Sequence, residues 1–578
     1  MVKDTKTDDS EDTNGPRNKE KSNANSKEKE SITENKNLNS QPVADEKAKS
    51  SDEHTAARNK ITDSWPTEDE KIKLESDTES LKVDILSSDE SVAKKVSDSF
   101  QNEENSRYYI DDVVNKGGYG KFQKLLTFLA GLGWFADAFE IVILSYLGDF
   151  LACEWTIYRW ENATLTSMVF MGMMVGSPSF GVIADIYGRK ISLGLSALLL
   201  FSFGAGSTLS PNIETLIIVR GLMGISLGGV AQGVTLCCEY YPAADRGIAG
   251  FYLTYYWATG TMLLILGTWG MMKTVNNWRW LLFGASLPAL TVFLAYKWYP
   301  ESARYYLVSQ QHEKAVKQLE QLARLNNIEM PKGDLKLPEE EARGRIWDLF
   351  KPELRVSTLL MWYLWFAIAF TYYAFALIAP IIIKNGKLRV TKEQASKTFN
   401  FNHTSSFLES KIPCREFTQM DYIDLLWTSA AEFPGLLVFT FLIKFLNRKT
   451  LLWGSCLLTT LATFLLLVDT NHRIVSNLLL FFGRANLIAL YQLLFIMTTE
   501  AFPTTLRAIA LGSGSGLSNF GGAVVPFAAQ FLVISEPVTT VCIIGFVIFL
   551  AAVFAFLLPQ ETKDINLKET SKDYIKPQ

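Results

Sequence analysis

The chain has 578 residues, and its 56 Lys and Arg nearly balance 60 Asp and Glu, for a formal net charge of −4. No basic face suits a nucleic-acid polymer, and no nucleophile–base pair or metal-ligand spacing supports an enzyme, a metal site or a cofactor. The near-neutral total hides a segregation: a hydrophilic segment in front, and an apolar body after residue 121.

Residues 1–105 are rich in Lys, Glu, Ser, Asn and Asp and poor in aromatics. Such a segment cannot bury enough apolar surface to offset its ordering entropy, so it is expected to be a disordered tail, either merely solvated or docking cytoplasmic partners. It lacks the apolar core of a signal peptide, which leaves the N-terminus on the cytoplasmic side.

From residue 121 onward, apolar runs recur with short polar breaks. Crossing ~30 Å of hydrocarbon takes about 20 helical residues. Twelve runs meet that length, starting near Phe122, Asn162, Ile191, Thr215, Ile248 and Trp278, then near Arg355, Asp421, Thr450, Ile474, Ala508 and Val538. The expected fold is an all-α membrane protein of twelve transmembrane helices in two six-helix bundles, 106–299 and 354–559. A loop at about 384–421 interrupts the second bundle, and a short tail follows at 560–578. In the linker 300–353, Leu307, Ala315, Val316, Leu319, Leu322 and Ala323 fall at helical spacing among charged residues. They predict one or two amphipathic helices lying against the cytoplasmic ends of the bundle.

Lys and Arg near the span ends place the loops 185–190, 300–353 and 444–449, and both termini, in the cytoplasm. The loop at 384–421 falls on the opposite side with the acceptor Asn402-His-Thr404, and Asn162-Ala-Thr164 lies on that side closer to the membrane; both are candidate glycosylation sites. Cys153 and Cys414 also fall there, which leaves a disulfide between them open. The four histidines lie outside the spans.

The chain repeats itself. Glu239-x-x-Pro242-x-x-x-Arg246 recurs as Glu500-x-x-Pro503-x-x-x-Arg507, Arg189-Lys190 as Arg448-Lys449, and Pro300-Glu301-Ser302 approximately as Pro559-Gln560-Glu561-Thr562. Three pairs separated by roughly the same interval indicate two homologous halves. The second loop is altered: Lys444 stands where the first half has Asp185, and Asn447 where it has Gly188.

The stretch Gly181–Lys190, GVIADIYGRK, resembles the loop between the second and third helices of the major facilitator superfamily. WFADAFEIVILS, CEW at Cys153, PESARY at Pro300 and DLLWTSAAEFPG at Asp424 resemble the synaptic vesicle 2-related branch of that superfamily, with its organic-ion and niacin transporter relatives. The resemblance runs from about Tyr109 to Lys563. It implies a secondary transporter of a small organic ion (an organic anion, nicotinate-like or nucleotide-like), proton-coupled, in a synaptic-type vesicle membrane or the plasma membrane. A protein that kept the fold as a non-transporting binding or regulatory module is the alternative. The resemblance also makes Asp185, Gly188, Arg189, Lys190, Glu239, Arg246, Glu500 and Arg507 a cytoplasmic gate of salt bridges between the halves.

Charges inside a bilayer are costly and usually face a cavity or a partner. At about 1.5 Å per residue, Asp137 on the first span and Arg220 on the fourth reach similar heights. This suggests Asp137 as a proton-titrating group and Arg220 as the residue that tunes it; a fixed ion pair is the plainer alternative. Glu140, one turn on, either reaches water or joins them. In the second half, Glu432 and Arg484 come about 14–15 Å deep, suited to an ionic substrate or to an internal salt bridge. Gln232 is a further polar candidate. Aromatic residues of the fifth and seventh spans either stack a planar substrate or pack helices.

Overall fold

A computed structural model describes residues 107–242, 246–336, 345–385, 411–468, 473–559 and 561. The N-terminal tail, the acceptor Asn402 and most of the loop at 384–421 lie outside the described residues.

The described chain is almost wholly helical. The first span is Lys121–Val142, continued after a break at Ile143 by Leu144–Trp155. The second to sixth are Arg159–Tyr187, Arg189–Gly206, Ile213–Leu227 continued by Ala231–Tyr240, Arg246–Thr274 and Trp278–Leu294. The seventh is Arg355–Asn385, and the eighth is Gln419–Ala430 continued by Glu432–Phe445. The ninth to twelfth are Arg448–Leu465, Arg473–Ala501, Thr504–Pro526 with a widened last turn, and Pro537–Leu557. Each begins within a few residues of its expected start. Among the described residues, ten helices are long and apolar enough to cross a membrane by composition alone; the fifth and ninth spans complete the set by position.

Within the first half, the first span packs on the fifth and sixth, the third on the sixth, and the second on the fourth. Small residues decide the closest crossing. A Cβ on Gly172, Gly176 or Gly224 would strike backbone atoms of the partner helix, so only glycine permits this approach of the second and fourth spans. In the second half, the seventh span packs on the tenth and eleventh, and the ninth on the tenth and twelfth. The halves meet where the second span lies on the eleventh and the fifth on the eighth. This is the arrangement of a major facilitator fold.

The linker forms two helices, Ala303–Val308 and His312–Asn326. Leu307, Ala315, Leu319, Leu322 and Ala323 are buried, as their spacing predicts. Asn326 seats this unit on the first span: its Oδ1 accepts from Phe122 N at 2.9 Å, and its amide donates to Gln123 Oε1 at 2.7 Å. We term the end carrying the 185–190 loop and this linker the basic end, and the opposite end the disulfide end.

Candidate functional site: two buried ion pairs and a carboxylate between the halves

Arg220 does not face Asp137. Its Nη1 donates to Glu140 Oε2 at 2.7 Å, and both side chains are fully buried. The expectation of an Asp137–Arg220 pair is corrected, as is that of Glu140 reaching water. Asp137 and Glu140 lie three residues apart, which turns the helix by about 300°, and packing gives Glu140 the inward face. Gly204 of the third span and Ser286 of the sixth close around the Glu140 carboxylate. The pair therefore lies inside the first half.

Asp137 points the other way. Tyr373 of the seventh span and Tyr491 of the tenth, both in the second half, lie within its electrostatic reach. Its Oδ1 is buried and accepts no hydrogen bond among the described residues, while the residue as a whole is only half-buried. Asp137 is thus an acid on the inter-half face.

Glu432 and Arg484 pair directly, at 2.7 Å, on the eighth and tenth spans. This pair reaches the interface through a relay. Tyr372 Oη donates to Glu432 Oε1 at 3.2 Å and accepts from Trp257 Nε1, on the fifth span of the first half, at 2.8 Å. Trp257 and Tyr372 entered the sequence reading only as members of aromatic runs; nothing in the local pattern marks them as a bridge. Beside them lies a space of about 10 Å³ bordered by Ser145, Thr166, Phe170, Trp257, Tyr372 and Tyr373, room for about one water molecule. Gln232 is buried on the lower fourth span and joins neither pair.

At the basic end, ion pairs among the described residues lie within a half: Arg189 with Asp185 at 2.6 Å and Glu239 at 3.5 Å in the first, Arg448 with Glu500 at 3.4 Å in the second. The cause is adjacency, since the third span packs on the fourth and the ninth on the tenth. Arg507 stands in the first turns of the eleventh span, and Arg246 opens the fifth, its side chain outside the described set.

A second device at this end repeats in both halves. Glu301 accepts from Arg189 N at 2.9 Å and Lys190 N at 3.2 Å, satisfying the free N–H groups that open the third span. Glu561 does the same for Arg448 N at 2.8 Å and Lys449 N at 3.2 Å. The repeat was visible as Pro300-Glu301 against Pro559-Gln560, but the working counterpart is Glu561. Gly188 has φ 104° and its Cα abuts the Glu301 carboxylate, which requires glycine. Asn447 has φ −65°, so the second loop loses nothing by the change. With Lys444 in the place of Asp185, Arg448 instead donates to Ile443 O at 2.6 Å. Burial pushes the Glu301 carboxyl above its ordinary range, with the backbone donors Ser302, Lys190 and Arg189 pulling the other way.

The disulfide end ties the halves together. Cys153, at the end of the first span, is bonded to Cys414, which precedes the eighth. Lys384 binds Asp149 at 2.9 Å, and Ile412 N donates to Ile157 O at 3.0 Å. Asn162, a candidate glycan acceptor in the second span, is buried against Gly148 of the first; that expectation is corrected, because a glycan needs an exposed amide.

The chain matches the model of the sugar (and other) transporter family over residues 127–397 and 426–574. It is 37% identical over 472 residues to the synaptic vesicle 2-related protein of Xenopus laevis, covering 82% of this chain and 84% of that one. It is 29% identical over 504 residues to organic cation/carnitine transporter 7 of Arabidopsis thaliana, covering 81% and 97%. Its fold is similar to the xylose transporter XylE from E. coli in a partially occluded inward-open conformation, with a TM-score of 0.56, 16% identity and coverage of 77% of this chain and 100% of that one. The chain belongs to the sugar (and other) transporter family of the major facilitator superfamily and is, within it, similar to the synaptic vesicle 2-related proteins.

Proposed function

We propose that this protein is a proton-coupled secondary transporter of a small organic ion, working by alternating access in a vesicle membrane with its basic end in the cytoplasm. The observation that carries the reading is Asp137: an acidic group at membrane depth, on the face where two homologous halves meet, with no basic partner among the described residues. A dehydrated carboxylate costs several kcal/mol. Closing the halves over Asp137 is therefore cheap only when a neutralising charge, such as a proton, rides on it. That is the elementary requirement for coupling proton movement to helix movement.

The Lys and Arg of the span ends support the orientation, and the printed name of the Xenopus laevis relative supports a vesicle membrane. The changes at Lys444 and Asn447 favoured a non-transporting reading, yet the carboxylate clasp of the second half stands without them. The N-terminal tail is assigned to cytoplasmic partners, and Asn402 to a glycan. Reconstitution in liposomes with a panel of labelled organic ions, with and without a pH gradient, tests the function. Wild type is expected to accumulate one class of ion when the gradient is applied. Asp137→Asn should lose that accumulation while keeping exchange of labelled for unlabelled substrate. Equal gradient-driven accumulation by both proteins would remove the assignment.

A further inference from the structure

We infer that residues 411–418 form a strap that closes the disulfide end of the seam between the halves. Reduction of the Cys153–Cys414 bond by a dithiol hands this strap from the first half to the second and lets that end open. The inference rests on the alternating-access reading above and adds a redox control to it.

The strap belongs to the second half by sequence and to the first by contact. It runs directly into the eighth span at Gln419. Yet Cys414 is bonded to Cys153, and Ile412 N donates to Ile157 O at 3.0 Å. Lys411 Nζ stands 5.5 Å from the centre of the Tyr158 ring, and Asn276 Nδ2 donates to Glu416 Oε1 at 3.4 Å. All four partners are in the first half.

Phe417 is the plug. Its ring centre lies 5.7 Å from that of Phe150 and 6.3 Å from that of Tyr146, both on the first span, and 5.6 Å from that of Tyr422 on the eighth. Tyr422 in turn stacks on Trp269 of the fifth span, with 6.0 Å between centres. The ring therefore fills the seam. Its height follows from the first span, where Ile141, Val142 and Ser145 border the central space and Tyr146 and Phe150 come next toward the disulfide end. A solute leaving the central space toward that end has Phe417 in its way.

Lys384, at the end of the seventh span, decides where the strap goes. Its Nζ pairs with Asp149 of the first half at 2.9 Å, donates to Arg415 O at 2.8 Å and stands 4.6 Å from the centre of the Phe417 ring. With the bond intact, Cys414 stays on the first half, and the chain from Cys414 to Gln419 leashes the halves to a gap of about 17 Å at full stretch. Without it, Lys384, Tyr422 and the chain itself hold the strap to the second half, and the ties left to the first are reversible ones. Cys153 and Cys414 are both exposed, and exposed disulfides are the labile ones. The dithiol gives two electrons and two protons to the S–S bond, which becomes the Cys153 and Cys414 thiols, and leaves as its own cyclic disulfide.

Energy transfer between fluorophores on unnatural side chains at positions 209 and 474, exposed sites at the disulfide end of each half, reads the opening in protein reconstituted in bilayers. Dithiothreitol should raise the long-distance population at least about twofold, and oxidised dithiothreitol should restore the original one. The double change Cys153→Ser with Cys414→Ser should show the long population without reductant and ignore its addition. Phe417→Ala, with the bond intact, should raise that population by less than reduction does, because the leash remains. A melting transition kept in every sample shows that the protein stays folded. Distances that ignore dithiothreitol while mass spectrometry shows the bond cleaved overturn the inference, as does purified protein in which Cys153 and Cys414 are not joined. Flux in liposomes with distances indifferent to reduction would sink the strap and keep the transporter. A redox-dependent distance without flux of any ion would keep the strap and sink the transporter.

Discussion

The two halves each bury a Glu–Arg pair at the same distance, yet the pairs sit in different places and have different neighbours. Arg220 stands nineteen residues before Glu239, whereas Arg484 stands sixteen before Glu500, a displacement of about one helical turn. Arg220 takes its partner from the first span and is walled in by the third and sixth. Arg484 takes its partner from the eighth and is joined through Tyr372 to Trp257 in the other half. The first pair is a staple inside one rigid body. The second is wired to the surface along which the bodies move. Duplication preserved the chemistry and let the location drift, which separates holding a half together from sensing its partner.

Breaking one member of either pair gives the largest effect. Arg220→Leu leaves Glu140 buried and uncompensated, and should cost about 3–5 kcal/mol in stability, read as a fall in melting temperature in detergent. The double change Glu140→Leu with Arg220→Leu should recover most of that loss and keep transport. The matching double change Glu432→Leu with Arg484→Leu should recover stability but not transport, because the Tyr372 relay loses its acceptor. If both double variants transport equally well, the distinction between staple and sensor fails.

A smaller effect separates the two loops. Gly188→Ala forces a side chain into φ 104° against Glu301 and should cost about 1–3 kcal/mol. Asn447→Ala, at an ordinary backbone conformation, should stay within about 0.5 kcal/mol. Thermal unfolding of the two single variants reads the contrast. Tyr372→Phe comes next. It removes one hydroxyl and leaves Trp257 Nε1 without its acceptor, about 1 kcal/mol, and should change the rate of exchange more than the melting temperature.

The smallest expected effect is a pH slope. Glu301 holds its proton to higher pH when folded than when unfolded, so its contribution to stability declines as pH rises from the ordinary glutamate range through the raised value. Melting temperature measured across that range should fall with pH in wild type and fall less in Glu301→Gln. An identical slope in both proteins removes Glu301 as its source.

How much of this was readable in advance follows from what a helix encodes. The rise per residue fixes height, so the twelve spans and the Glu432–Arg484 meeting were legible. Direction around the axis depends on which faces pack, and Asp137 and Glu140 differ by only three residues. Gly172, Gly176 and Gly224 bring the second and fourth spans together, but nothing in their local pattern shows that Arg220 is thereby aimed at Glu140. The clasp on the third span showed as a motif, yet its counterpart slid by one residue from Gln560 to Glu561, because a repeat constrains spacing only as closely as the loop does. The Cys153–Cys414 bond needed proximity between a span end and a distant loop, which no local pattern carries.

The central claim is that the two halves move as bodies about the face that Asp137 occupies. The most direct measurement is the distance between spin labels on unnatural side chains at positions 186 and 445, exposed sites at the basic end of each half, in protein reconstituted in bilayers. The account predicts at least two distance populations whose ratio changes with pH in wild type and no longer changes in Asp137→Asn. A single distance, the same at every pH and in both proteins, would contradict it.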